Sequence, residues 1–110
     1  MDNKQTLESL SALAHQTRLD VFRLLVKAGD HGLYAGEIAS RLDVRQNTMS
    51  TNLAVLERAG LIESAREGRS IRYFANFDGM RSMLAFLMED CCGGLPEQCQ
   101  PLLNKIVCAN

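Results

Sequence analysis

One strand-turn-strand signal interrupts an otherwise helical chain. Leu61-Ile62-Glu63-Ser64-Ala65-Arg66 and Arg69-Ser70-Ile71-Arg72-Tyr73-Phe74 flank Glu67-Gly68, a two-residue turn signal between runs of strand character. A lone hairpin buries too little surface to be stable in water, so this one must lean on helices. Helical spacing surrounds it. Leu7, Leu10, Leu13 and Ala14 recur at three and four between Thr6 and Ala14. Leu19, Val21, Phe22, Leu24, Leu25 and Ala28 form a wide apolar face that stops at Gly29. Asp30 to Tyr34 reads as a turn, and Glu37 to Leu42 as a helix of about two turns broken at Asp43-Val44. Met49, Leu53, Val55 and Leu56 predict a helix from Asn47 to Ala59, ended by Gly60, because glycine takes the left-handed cap at little cost. Beyond the hairpin, Met80, Met83, Leu84, Leu87 and Met88 predict a last helix from Asp78 to near Gly93-Gly94. The fold class is mainly α with a β-hairpin wing, an α+β winged helix-turn-helix.

The chain has 110 residues, which suits one core, and 46% hydrophobic with 23% charged residues is ordinary globular composition. No apolar run is long enough to span a bilayer, and Met1-Asp2-Asn3-Lys4-Gln5 leads into no signal-peptide core, so the expected location is cytoplasmic, with no membrane partner. The organisation predicted is a winged helix-turn-helix domain over 1–90 and a cysteine-bearing tail over 91–110, whose roles follow from the residues below.

Two faces of different chemistry meet on the Asn47–Ala59 helix. One is apolar; the other carries Gln46, Asn47, Ser50, Thr51 and Asn52, short uncharged groups that can hydrogen-bond base edges and phosphates in a major groove about 12 Å wide. Ordinary surface helices favour Glu and Lys instead. The net charge of −1 gives no global basic field, but residues 41 to 72 hold six arginines (Arg41, Arg45, Arg58, Arg66, Arg69, Arg72) against four acids (Asp43, Glu57, Glu63, Glu67). Positive charge therefore sits where the arrangement predicts phosphate contact. Double-stranded DNA is the expected partner, with Arg45, Gln46, Asn47, Thr48, Ser50, Thr51, Asn52, Arg66, Arg69 and Arg72 as its contacts. A module of this size has a small footprint, so two copies on a palindrome are expected. Leu7, Leu10, Met80, Met83, Leu84 and Leu87 are more apolar surface than one core of this size needs, and form the candidate homodimer interface.

The sequence resembles the ArsR/SmtB family of dimeric, metal-responsive winged-helix repressors over residues 5 to about 90. The resemblance is carried by Ala14-His15-Gln16-Thr17-Arg18-Leu19, by Gln46-Asn47-Thr48-Met49-Ser50-Thr51-Asn52-Leu53, and by Leu56-Glu57-Arg58-Ala59-Gly60-Leu61-Ile62. It implies that the second stretch is the recognition helix, with Gln46, Thr48, Ser50 and Thr51 touching DNA. The chain departs from the family pattern at Asn52, where His is frequent, and at Thr51, where Arg is common, so operator preference is not inherited.

All four cysteines, Cys91, Cys92, Cys99 and Cys108, fall in the last 20 residues. In a reducing compartment a disulfide framework is the weaker reading, and metal binding, redox chemistry or inert burial the stronger ones. The adjacent pair Cys91-Cys92 can reach one soft ion, and Gly93-Gly94 lets the Cys99 thiolate fold back toward it. Zn²⁺ wants four ligands; His15 and His31 are distant and read as a helix-entry hydrogen bonder and a loop residue, which leaves Cys108 as a fourth. Three thiolates instead suit trivalent arsenic, with As(III) as the inducer and Sb(III) as its alternative. The family's other inducer positions are empty here: Glu37 to Leu42 holds no cysteine and the last helix no histidine. What remains resembles the arsenic-responsive subgroup with cysteines after the final helix, which assigns Cys91, Cys92 and Cys99 as metal ligands and gives Cys108 no role. Two rival inducers stay open: trivalent organoarsenicals, which need two thiolates, and thiol oxidation. An arsenate reductase is disfavoured, because Cys91 and Cys92 follow Glu89-Asp90 at a helix C-terminus, where thiol pKa should rise. No enzyme and no catalytic residue is expected.

Overall fold

A computed structural model describes residues 2–88. The tail over 91–110 with Cys91, Cys92, Cys99 and Cys108, and the expected helix end near Gly93-Gly94, lie outside the described residues. In chain order the elements are α1 (Asn3–Leu13), α2 (Gln16–Ala28), a 3-10 turn (Gly29–His31), β1 (Leu33–Tyr34), α3 (Ala35–Leu42), α4 (Gln46–Arg58), β2 (Ile62–Glu67), β3 (Ser70–Ala75) and α5 (Phe77–Leu87). This is the expected winged helix-turn-helix.

Local chemistry sets the boundaries. Asp2 caps α1 by accepting from the Gln5 N–H at 2.8 Å, while its own N–H donates to Gln5 Oε1 at 3.2 Å, a reciprocal capping box. His15 occupies the N-cap of α2, but its imidazole makes no capping hydrogen bond, contrary to the expected role. Asp43 ends α3 in the left-handed region at φ +53°, the sole non-glycine with positive φ among the described residues. Asn76 caps α5 through its Oδ1, which accepts from the Gly79 N–H at 3.1 Å.

The sheet has the order β1-β3-β2 with both pairings antiparallel. Its register corrects the hairpin reading. Glu67 pairs with Ser70, so the turn residues are Gly68 and Arg69, one position later than expected. Gly68 takes φ +63° and Arg69 does not follow it, which suits a type II′ turn with glycine first. The sequence reading also missed β1. Leu33 opposite Tyr73 and Tyr34 opposite Arg72 are held by pairing across the chain, which leaves no periodicity to detect.

The core joins α2, α3, α4 and the root of the wing. Val21, Leu25, Ile38, Met49, Leu53, Leu56, Leu61 and Ile62 are all 2% exposed or less, which fixes α4 against α2 and α3 on one side and the hairpin on the other. Helix α1 packs with unusual polarity. It turns Thr6, Ser9 and Ala12 inward and leaves Leu7 and Leu10 outside, at 66% and 39% exposure. Small inward residues let α1 lie close to α4, where the Ser9 hydroxyl donates to the Ala59 carbonyl at 3.2 Å.

At the same C-terminal end of α4, backbone meets backbone. Asn76 donates through Nδ2 to the Gly60 carbonyl at 3.0 Å and through its N–H to the Leu61 carbonyl at 2.9 Å. Gly79, in the first turn of α5, lies so close that a methyl group there would overlap the Gly60 carbonyl oxygen.

Candidate nucleic-acid interface

Burial of Met49, Asn52, Leu53 and Leu56 rotates the opposite face of α4 to solvent. Gln46, Asn47, Thr48, Ser50 and Thr51 are exposed on it, with Arg45 exposed at its N-cap. The first turn of α4 contains no acidic residue, so its unpaired N–H groups and dipole face solvent without a competing carboxylate. Part of this polarity is already engaged. The Asn47 Oδ1 accepts from the Thr48 N–H at 2.8 Å, and the Thr51 hydroxyl donates back to the Asn47 carbonyl at 3.2 Å. Among the described residues Asn47 Nδ2, Gln46, Thr48 and Ser50 make no side-chain hydrogen bond, and they are presented outward.

Asn52 does not belong to that surface. It is 5% exposed, and its Oδ1 accepts from Arg18 Nη1 at 3.3 Å, while Arg18 Nε donates to the Ala12 carbonyl at 2.7 Å. Positions 49, 52, 53 and 56 are spaced as one buried helical face, so Asn52 follows its position and not its polarity. It joins α4 to the end of α1 through Arg18, whose role the sequence alone did not reveal.

The wing arginines also divide. Arg66 and Arg69 are exposed at the end of the hairpin, but Arg72 is half-buried and folded inward. Its Nη1 donates to the His31 carbonyl at 2.7 Å, and its Nη2 donates to the Tyr34 hydroxyl at 2.6 Å and to Glu67 Oε1 at 3.0 Å. Nε lies 3.0 Å from Glu67 Oε2, out of hydrogen-bond alignment, so this contact is an ion pair. The guanidinium carbon stands 4.7 Å from the centre of the Tyr34 ring. The Tyr34 hydroxyl, donating to Glu67 Oε1 at 2.7 Å, and then Arg72 hold the Glu67 carboxyl below the ordinary carboxylate range; Glu67 in turn raises Arg72. The expected DNA contact at Arg72 is thus not what this arrangement presents: Nη1 and Nη2 are turned to partners inside the protein.

The expected dimer stripe splits as well. Leu84 and Leu87 are exposed at 38% and 48% on α5, alongside Leu7 and Leu10 on α1. Met83 is 6% exposed and Met80 packs against the core, because their positions on α5 face the protomer itself. Leu7 further borders an open groove with Ala12 and Val55, which extends the apolar surface toward α4. Among the described residues, no three His, Cys, Asp or Glu side chains gather to hold a metal ion, and no helix is long and apolar enough to cross a membrane.

Comparison with known proteins agrees with this geometry. Residues 13–65 match a family described as a helix-turn-helix domain. The chain is 32% identical to the transcriptional activator HlyU of Vibrio cholerae over 78 residues, which is 71% of this chain and 69% of that protein. It is 34% identical over 76 residues to a putative arsenical resistance operon repressor ArsR of Halobacterium salinarum, covering 69% of this chain and 58% of that protein. Among solved structures, the homodimeric winged helix-turn-helix DNA-binding domain Mb0332 of Mycobacterium bovis, described as a possible ArsR-family regulator, superimposes with a TM-score of 0.65. That match has 28% identity and covers 77% of each chain.

Proposed function

The chain belongs to the ArsR family of winged helix-turn-helix transcriptional regulators, not to a class of enzymes, and within that family we propose that it is an As(III)-responsive repressor. Two copies joined through Leu7, Leu10, Leu84 and Leu87 place their α4 helices in successive major grooves of an operator. Arg45, Gln46, Asn47, Thr48, Ser50 and Thr51 contact bases and phosphates there, and Arg66 and Arg69 contact the flanking backbone. The observation that carries DNA reading is the outward set of short polar side chains on α4, free of acids in its first turn.

The choice of inducer rests on the sequence: three cysteines after the last helix, two of them adjacent, suit a three-coordinate thiophilic ion. A relative named as a putative arsenical resistance repressor supports it. Arsenite, or antimonite in its place, bound to Cys91, Cys92 and Cys99 favours a tail arrangement incompatible with operator spacing. Release requires tighter inducer binding to the free dimer than to the DNA-bound one, with a coupling of about 1–3 kcal/mol. The clustering of four cysteines in the last 20 residues supports oxidation sensing as a second reading, and a solved structure of V. cholerae HlyU described as reduced gives that reading a parallel.

The test is operator release, followed by fluorescence anisotropy on a duplex selected from a random pool by the metal-free protein. Arsenite should free the duplex from wild type but not from Cys91→Ser or Cys92→Ser, with DNA affinity unchanged in both variants. Release by peroxide alone supports the oxidation reading. Cys99→Ser separates arsenite, which needs the third thiolate, from organoarsenicals, which do not. Release of the Cys91→Ser variant at the wild-type arsenite concentration removes the site assignment.

A further inference from the structure

We propose that Tyr34, Glu67 and Arg72 form a positioning clamp that fixes the wing against the helix-turn-helix, so that Arg66 and Arg69 reach the DNA backbone while Arg72 never touches it. The proposal rests on the DNA-binding reading above and adds residues that act through the wing.

The outer wing has little else to hold it. In β2 only Ile62 is buried and residues 63 to 67 are exposed, so no apolar core lies beneath the turn. Polar contacts must set its direction. Tyr34 is at once the last residue of β1 and the N-cap of α3, and its N–H donates to Glu37 Oε1 at 3.0 Å. It therefore adjoins the first helix of the helix-turn-helix pair. Arg72 stands directly opposite it on β3, and Glu67 is the last residue of β2, next to the turn that carries Arg69. Each of the three side chains bonds both others: Tyr34 to Glu67 at 2.7 Å, Arg72 to Tyr34 at 2.6 Å and Arg72 to Glu67 at 3.0 Å. A closed ring of charge-assisted bonds holds an angle better than any single pair, because no member can rotate away without breaking two. The fourth contact, Arg72 to the His31 carbonyl at 2.7 Å, anchors the ring to the segment before β1.

The ring also accounts for an acid in the wing. Beside a polyanion, a carboxylate next to the turn repels phosphate, and on electrostatics alone its removal tightens binding. As a clamp member its removal does the reverse.

Anisotropy titrations of the selected duplex at several salt concentrations test this. Glu67→Ala should weaken binding about three- to tenfold, with the log–log salt slope reduced by about one as a wing arginine loses its phosphate. Tyr34→Phe, which removes one hydroxyl and keeps the ring, should move both readouts in the same direction. In an Arg66→Gln, Arg69→Gln background, both substitutions should change little, because they act through the wing end. The clamp is overturned if Glu67→Ala binds more tightly than wild type, or if the slope lost in Arg72→Gln adds in full to that lost in the Arg66→Gln, Arg69→Gln protein. A wild-type protein that selects no duplex overturns the DNA-binding reading and the clamp with it.

Discussion

Replacing Asn52 by alanine separates a structural role from a DNA contact. The side chain is 5% exposed and accepts from Arg18 at 3.3 Å, so the substitution leaves a half-buried guanidinium short of one partner and a small void beside α2. A hydrogen bond to a charged group contributes about 1.5–3 kcal/mol when well formed. This one is long, and Arg18 keeps its 2.7 Å bond to Ala12, so about 1–2 kcal/mol is the expected loss. With an m-value of about 2 kcal/mol/M in urea, the unfolding midpoint falls by roughly 0.5–1 M. Protomer concentration must be held constant, since dimerisation contributes to apparent stability. Salt slopes of DNA binding should stay at the wild-type value, and in an Arg18→Gln background the stability loss should shrink, as coupled neighbours require. If Asn52→Ala instead unfolds within about 0.5 kcal/mol of wild type, as exposed substitutions do, while DNA affinity falls tenfold, the side chain faces the groove and the inward placement is wrong.

Asp43→Val places a β-branched residue at φ +53° in the turn between α3 and α4, and should cost about 1–2 kcal/mol by urea unfolding; Asp43→Gly should cost nothing or stabilise. Replacing Leu84 and Leu87 together by serine removes two half-exposed leucines from each protomer, counted twice across a two-fold interface. Dimer affinity should drop by about 3–4 kcal/mol on sedimentation equilibrium; an unchanged dimer would place the interface elsewhere. Burial, then the nearby Glu57 carboxylate, raises the Tyr73 phenol above its ordinary value, so its contribution to stability is full below the unfolded tyrosine pKa of about 10 and is lost as pH rises through the higher folded value. Phenolate absorbance in Tyr34→Phe, where Tyr73 alone titrates, should show a midpoint above that of free tyrosine.

Elements whose signal is local were legible in the sequence, and contacts between distant residues were not. Gly60 and the spacing of Met49, Leu53 and Leu56 are enough to place α4, because capping and amphipathicity act within a few residues. Asn52 had a usable signal, its place on the buried face, but its polarity was given more weight than its position. Arg72 had none: its partners His31 and Tyr34 lie 41 and 38 residues away and meet it only after β1 pairs with β3. Charge counting credits every arginine of the wing equally, whereas the fold spends one on Glu67. The dimer stripe split for a related reason. Spacing locates an apolar face on α5 but not which edge of it turns toward the protomer, and Met80 and Met83 took that edge. The cysteine tail lies outside the described residues and stands on its chemistry.

The joint between α5 and the end of α4 is made of main chain at Gly60 and Gly79, pinned by one amide side chain, Asn76. Such a hinge plate has no bulky groups to wear away. Side chains elsewhere on either helix can therefore be exchanged without disturbing this joint, because its contacts are main chain and a single amide. Only atoms added at Gly79, or the loss of the Asn76 amide, would loosen it.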